Sequence, residues 1–135
     1  MSSREGGAGE RGLLDTSVFV ARETGRSYGA LPAVAAVSVV TLAELHLGVL
    51  VADDPTIRAR RLRTLSSVQA RFEPVPIDAA VARTFAEIVA EARRQGRRPK
   101  IMDTWIAATA VTLDLAVYAQ DDDFSMIPRV RVVRV

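Results

Sequence analysis

Cysteine is absent from the 135 residues, which excludes a disulfide framework and any thiolate metal site. Histidine occurs once, as His46, so a paired-histidine centre is excluded too. A single histidine with no His or Cys partner is more often structural than a ligand or base. Aromatic residues make up 5% of the chain and do not interleave with its basic residues, so no platform for stacking bases is present. No apolar run is long and clean enough to span a bilayer. The longest, residues 31–52, is broken by Ser38, Thr41, Glu44 and His46. The N-terminus lacks the apolar core of a secretory signal. These absences make a cytoplasmic protein without a membrane partner the expectation.

What is present suits one globular domain. Hydrophobic residues make up 49% and charged residues 25%, and the length supports one core but not comfortably two. Net charge is only +2, so composition alone does not demand a nucleic-acid partner. The cations are nevertheless unusual: Lys100 is the single lysine, and the arginines cluster. Arg58, Arg60, Arg61 and Arg63 form one group; Arg93, Arg94, Arg97 and Arg98 form another beside Lys100. Solvated helix faces explain each group alone. Together they also suit phosphate, whose geometry the guanidinium fork matches.

Residues 1–11 are polar and glycine-rich and read as a disordered leader, with a single domain over residues 12–135. Leu13 and Leu14 read as a short buried strand ending at Asp15, with a helix from Thr16 or Ser17. Residues 33–40 form a second strand that gives way near Ser38 to a helix carrying Leu42, Leu45 and Val49. After a turn at Asp53, Asp54 and Pro55, a helix over residues 56–71 has Leu62, Leu65, Val68 and Phe72 as its apolar edge. Residues 72–77, broken by Pro74 and Pro76, suggest a short edge strand. Asp78 then caps a helix with Val81, Phe85, Ile88 and Ala92 on one face, ended by Gly96. An apolar helix around Trp105 to Ala110 leads to a buried strand over residues 115–119, and an alternating edge strand over residues 130–135 closes the chain. Strands alternating with helices imply an α/β domain with a mainly parallel sheet.

Four acidic positions share one peculiarity. Asp15, Glu44, Asp103 and the run Asp121, Asp122, Asp123 each interrupt or terminate an apolar segment, instead of lying on a charged face. A helix cap or a solvent-facing stripe explains any one of them. Asp15 and the aspartate run, however, both follow strands, which places them at the carboxyl edge of a parallel sheet, where such folds bind ligands. Converging carboxylates repel one another unless a cation joins them. Oxygen-only ligands select a hard cation, Mg²⁺ or Mn²⁺. A pair of these clamps the attacking and leaving oxygens of phosphodiester hydrolysis and activates water without a histidine base.

Residues 14–18 (Leu-Asp-Thr-Ser-Val), 39–45 (Val-Val-Thr-Leu-Ala-Glu-Leu) with Gly48 and Val49, 103–110 (Asp-Thr-Trp-Ile-Ala-Ala-Thr-Ala) and 120–124 (Gln-Asp-Asp-Asp-Phe) together resemble the PIN-domain ribonucleases, and within them the VapC toxins of toxin–antitoxin pairs. The resemblance runs from about Gly12 to the C-terminus, with the four motifs in family order. It implies a three-layer α/β/α domain around a parallel sheet of about five strands, and Mg²⁺- or Mn²⁺-dependent endonucleolytic cleavage of RNA in a bacterial or archaeal cytoplasm. It also implies Asp15 and Asp103 as principal metal ligands, Glu44 as the third acid, and Asp121 or Asp123 as the fourth. Thr16 or Ser17 would orient the site, a homodimer is the implied assembly, and a VapB-type antitoxin is the implied inhibitor. Residues 128–130 (Pro-Arg-Val) depart from the Pro-Gly turn common in the family, and the leader is longer than usual.

Two rivals remain. A PIN-like module that binds RNA or antitoxin without turnover would keep the fold and lose cleavage. A phosphorylated receiver domain also gathers carboxylates at a sheet edge, but it needs paired acids after its first strand and a lysine after a late one. Asp15 is unpaired and Lys100 precedes Asp103.

Overall fold

Leu13 and Leu14 define the two faces of the sheet, because successive strand residues point to opposite sides. The computed structural model describes residues 10–135. Strands β1 (Arg11–Leu14), β2 (Val34–Ala36), β3 (Ala116–Ala119) and β4 (Val132–Arg134) form one parallel sheet in the order β2-β1-β3-β4. Leu13, Val117 and Ala119 enter one buried cluster; Leu14 and Tyr118 enter another on the opposite face. The first cluster is completed by Val81 and Ile88 of α4 (Ala79–Arg94) and Ile106 of α5 (Ile101–Thr112). The second is completed by Phe19 of α1 (Thr16–Glu23) and by Leu65 and Val68 of α3 (Pro55–Arg71). Helix α2 (Val39–Leu50) serves both, giving Val40 to the first and Leu45 to the second. Each buried Val, Leu, Ile or Phe side chain among these contributes roughly 1.5–3 kcal/mol. The three layers expected are present, with four strands for the expected five or so.

Short polar residues start the helices. Asp15, Ser38, Asp54 and Asp78 each cap one by accepting a hydrogen bond from a backbone N–H of its first turn. Gly96 ends α4 at φ +72°, a backbone region that side-chain-bearing residues avoid.

Three expectations need correction. Arg11, counted with the leader, opens β1 and pairs with Val34, whose N–H donates to the Glu10 carbonyl at 3.0 Å. Residues 1–9 of that leader lie outside the described residues. Residues 72–77 do not form a strand: between Pro74 and Pro76, which lack N–H donors, Val75 alone makes an isolated parallel bridge to Ser38. Leu62 is 49% exposed, because the buried edge of α3 is the Leu65 and Val68 side and Leu62 turns away from it.

The chain leaves β1 for β2 on one side of the sheet and reaches β3 on the other, so the strand order reverses between β1 and β3. A crevice opens at the carboxyl ends of strands at such a point. Helix α5 joins β3 through a tight turn at Asp114 (φ 56°), where the Leu115 N–H donates to the Ala110 carbonyl at 2.8 Å. It therefore runs antiparallel to β3, with its N-terminus at the carboxyl edge.

Candidate active site

Asp15 stands where β1 becomes α1. Its backbone N–H donates to the Tyr118 carbonyl at 2.9 Å, carrying the β1–β3 ladder one step further. Its Oδ2 accepts from the Ser17 N–H at 3.1 Å. The cap reading is therefore correct locally, yet the carboxylate is 5% exposed and shares a cavity with other acids. That cavity, about 270 Å³, is lined by Asp15, Thr16, Ser17, Glu44, Asp103, Asp121 and Asp123, with Val20 and Arg26 at its margin. All five acids singled out in the sequence reach it. Asp122 does not: its carboxylate pairs with Arg134 on the outer side.

Asp103 is the most constrained of the set. It lies in the first turn of α5, 8% exposed, and its Oδ2 is buried with no hydrogen-bond partner. Burial, and then the negative charges of Asp15, Asp123 and Glu44, push its carboxyl from an ordinary 3.8 up to about 7, against a smaller opposing pull from Lys100. Burial also raises Asp15, resisted by hydrogen bonds from Ser17 and the Thr16 backbone. Glu44 is raised by burial as well and held back by the Thr16 hydroxyl.

Thr16 Oγ1 lies 2.5 Å from Glu44 Oε1 and 3.0 Å from Thr41 Oγ1. One hydroxyl has one proton, so Thr16 donates to the carboxylate and accepts from Thr41. Ser17 plays a different part. Its Oγ accepts from the Gln120 N–H at 3.0 Å, fastening α1 to the end of β3. Within the aspartate run, Asp121 Oδ1 accepts from the Asp123 N–H at 3.2 Å, and Asp123 Oδ2 lies 3.4 Å from Lys100 Nζ.

Three of these participants were not legible beforehand. Thr41 had a usable signal, standing three residues before Glu44 and so on the same helix face. Lys100 stands three residues before Asp103 and was grouped with the arginines, and nothing in that spacing pairs it with Asp123. Arg26 follows the left-handed Gly25 in a loop with no periodicity, and no sequence pattern places it at the cavity.

The donor set suits a hard divalent cation: carboxylate oxygens, no sulfur or histidine, and one buried oxygen with no protein partner. Among the described residues, no three acidic side chains already close on a single point as a finished cage. The acids line a cavity and do not form a closed shell.

The sequence matches the PIN domain model over residues 12–130. It is 46% identical over 129 residues to Ribonuclease VapC5 of Mycobacterium tuberculosis, covering 92% of this chain and 95% of that one. It is 43% identical over 134 residues to Ribonuclease VapC4 of the same organism, covering 93% and 97%. The fold superimposes on the crystal structure of VapBC-5, a VapBC toxin–antitoxin family member from that organism, with a TM-score of 0.84 and 43% identity over 93% of this chain and 98% of that one. With an ordered set of acidic motifs, a parallel sheet that brings them to one crevice, and this degree of likeness over nearly its whole length, the chain belongs to the PIN-domain family and within it to the VapC type.

Proposed function

We propose that the chain is the endoribonuclease toxin of a toxin–antitoxin pair, hydrolysing RNA phosphodiester bonds with Mg²⁺ or Mn²⁺ held by its carboxylates. One observation carries this reading: Asp15, Glu44, Asp103, Asp121 and Asp123 share one cavity, with Asp103 Oδ2 buried and unpartnered. The names of its relatives support it, two being ribonucleases and the third a toxin–antitoxin system.

Asp15 and Asp103 would be the principal metal holders, with Glu44 and one member of the aspartate run completing the set. When bound, the cations neutralise phosphate charge and activate water for in-line attack. The other residues prepare the acids. Thr16 keeps Glu44 oriented and favours its charged form; Ser17 and the first-turn N–H groups do the same for Asp15. Lys100 already engages Asp123, so Asp121 is the better placed of the two for the fourth position. Arg26 sits at the margin, where its guanidinium would meet the scissile phosphate.

The partners in this reading are RNA, a VapB-type antitoxin whose tail occupies the acidic cavity, and a second copy of the chain. Its place would be the cytoplasm. No helix among the described residues is long and apolar enough to cross a membrane.

The direct test is cleavage of RNA in Mg²⁺ by purified Asp15→Asn and Asp103→Asn proteins. The expected loss is at least about a hundredfold, the scale on which an essential catalytic group acts. Wild-type rates in either variant would sink the assignment. A wild-type chain that binds Mg²⁺ but cleaves no cellular RNA would instead be a binding module.

A further inference from the structure

A second cavity, about 150 Å³, lies in the turn between α4 and α5 and is lined by Val89, Arg93, Arg97, Arg98, Pro99 and Ile101. Three of its lining residues are arginines and none is acidic. Three arginines near the C-terminus do find acids: Arg129 pairs with Glu87 and Glu91, Arg131 with Asp114, and Arg134 with Asp122. Among the described residues, Arg93, Arg97 and Arg98 make no ion pair. Three arginines around one small cavity with no acid among its walls give it a positive potential that favours an anionic ligand.

The backbone fixes the turn that carries these residues. The Arg97 N–H donates to the Ala92 carbonyl at 2.8 Å and the Gly96 N–H to the Arg93 carbonyl at 3.0 Å, closing the end of α4. Arg97 is half-buried, which limits the side-chain freedom lost when a ligand is gripped. Because the N-terminus of α5 lies at the carboxyl edge of the sheet, the turn stands on the same edge as the acids. Lys100, two residues past Arg98, reaches Asp123 in the acidic cavity.

Taking the ribonuclease reading as its basis, we infer that Arg93, Arg97 and Arg98 form a binding site for a backbone phosphate of the RNA strand, beside the phosphate that is cut. Guanidinium forks recognise phosphate oxygens without reading bases, so this site fixes the register of the strand over the acids. Its walls, Val89, Pro99 and Ile101, carry no aromatic ring, in keeping with a contact to the backbone.

The test uses the full chain in EDTA, where cleavage is suppressed, with a short fluorescent single-stranded RNA. Affinity is read by anisotropy across a range of salt concentrations. Arg97→Ala and Arg98→Ala are expected to weaken binding several-fold each, and to lower the slope of log affinity against log salt by about 0.7 per lost phosphate contact. Arg83→Ala removes one charge from the same α4 without touching the cavity, and is expected to bind as wild type does. Circular dichroism and melting temperature check that each variant is folded. Equal losses in Arg83→Ala and Arg97→Ala would reduce the effect to net charge and overturn the site. So would unchanged binding in the double Arg97→Ala, Arg98→Ala protein, or a wild-type chain that binds no RNA. Complete competition by inorganic phosphate at low concentration would make it a small-anion site, and overturn it as well. Cleavage by wild type in Mg²⁺ is scored separately. RNA held through these arginines but never cut would leave this site standing and end the ribonuclease reading.

Discussion

Thr16 Oγ1 and Glu44 Oε1, 2.5 Å apart, join the first turn of α1 to the middle of α2 across the acidic cavity. This hydrogen bond lowers the Glu44 carboxyl against the upward push of burial. In Thr16→Val the shape is kept and the donor is lost, so Glu44 titrates higher and a half-buried acceptor is left without its partner. Stability is expected to fall by about 1 kcal/mol, the usual net value of such a bond. Thr16→Ser should restore both properties. Urea denaturation and an NMR titration of the Glu44 carboxyl measure the two effects. An unmoved Glu44 titration in Thr16→Val would show that the hydroxyl does not govern this acid.

Gly12 carries a different kind of constraint. A Cβ built there would lie 2.4 and 2.6 Å from two ring carbons of Tyr118 and 3.2 Å from Pro32 Cγ. Tyr118 is 1% exposed and packed into the second core cluster, so its ring has little room to withdraw. Gly12→Ala should cost about 1–3 kcal/mol, the range for overpacking a core. Chemical denaturation within about 0.5 kcal/mol of wild type would mean that the ring moves aside freely.

The contrast between these residues shows what a sequence can reveal. The helices were legible because caps such as Asp15 and Asp78 and apolar spacings such as Val81, Ile88 and Ala92 are local signals. The acids were legible because a lone charge in an apolar run is conspicuous in one dimension. The edge strand at residues 72–77 misled, since Val75 is extended and bridges Ser38, but the prolines on either side of it lack the N–H donors that would lengthen the bridge into a strand. Arg26 was hidden for a third reason, and the grouping of Arg93, Arg97 and Arg98 was legible while their shared cavity was not: an arginine's sequence surroundings do not say which cavity its long side chain will line.

Asp103 should make stability depend on pH. Its carboxyl lies near 7 in the folded chain against an ordinary 3.8. Between those values the folded state keeps a proton that the unfolded state has lost, so stability falls as pH rises from about 4 to about 7. Below that window both states are protonated; above it both are charged and the full penalty remains, up to about 4 kcal/mol at 1.36 kcal/mol per unit. Asp103→Asn removes the charge, so it should be more stable than wild type at pH 8 and show a flatter profile from pH 4 to 7. Thermal melts across that range measure both. A variant less stable than wild type at pH 8 would contradict the placement of an uncompensated charge at Asp103.

A divalent cation should reverse that penalty. With Asp103 Oδ2 buried and unpartnered beside Asp15, adding Mg²⁺ or Mn²⁺ at pH 8 supplies the missing counter-charge. A ligand that binds the folded state alone stabilises it by about 2.7 kcal/mol at a hundred times its dissociation constant. The melting temperature of wild type should therefore rise over an EDTA control, and rise less at pH 5, where Asp103 holds its proton and the cation must displace it. Asp15→Asn and Asp103→Asn should lose most of the increment, because each removes a principal holder. Lys100→Met should respond at lower metal concentration than wild type, since its ammonium group is a competing cation 3.4 Å from Asp123. Calorimetric titration with Mn²⁺ measures the same order of affinities directly: Lys100→Met above wild type, and wild type above the two Asn variants. Equal metal responses in wild type, Asp15→Asn and Asp103→Asn would place the cation elsewhere on the protein.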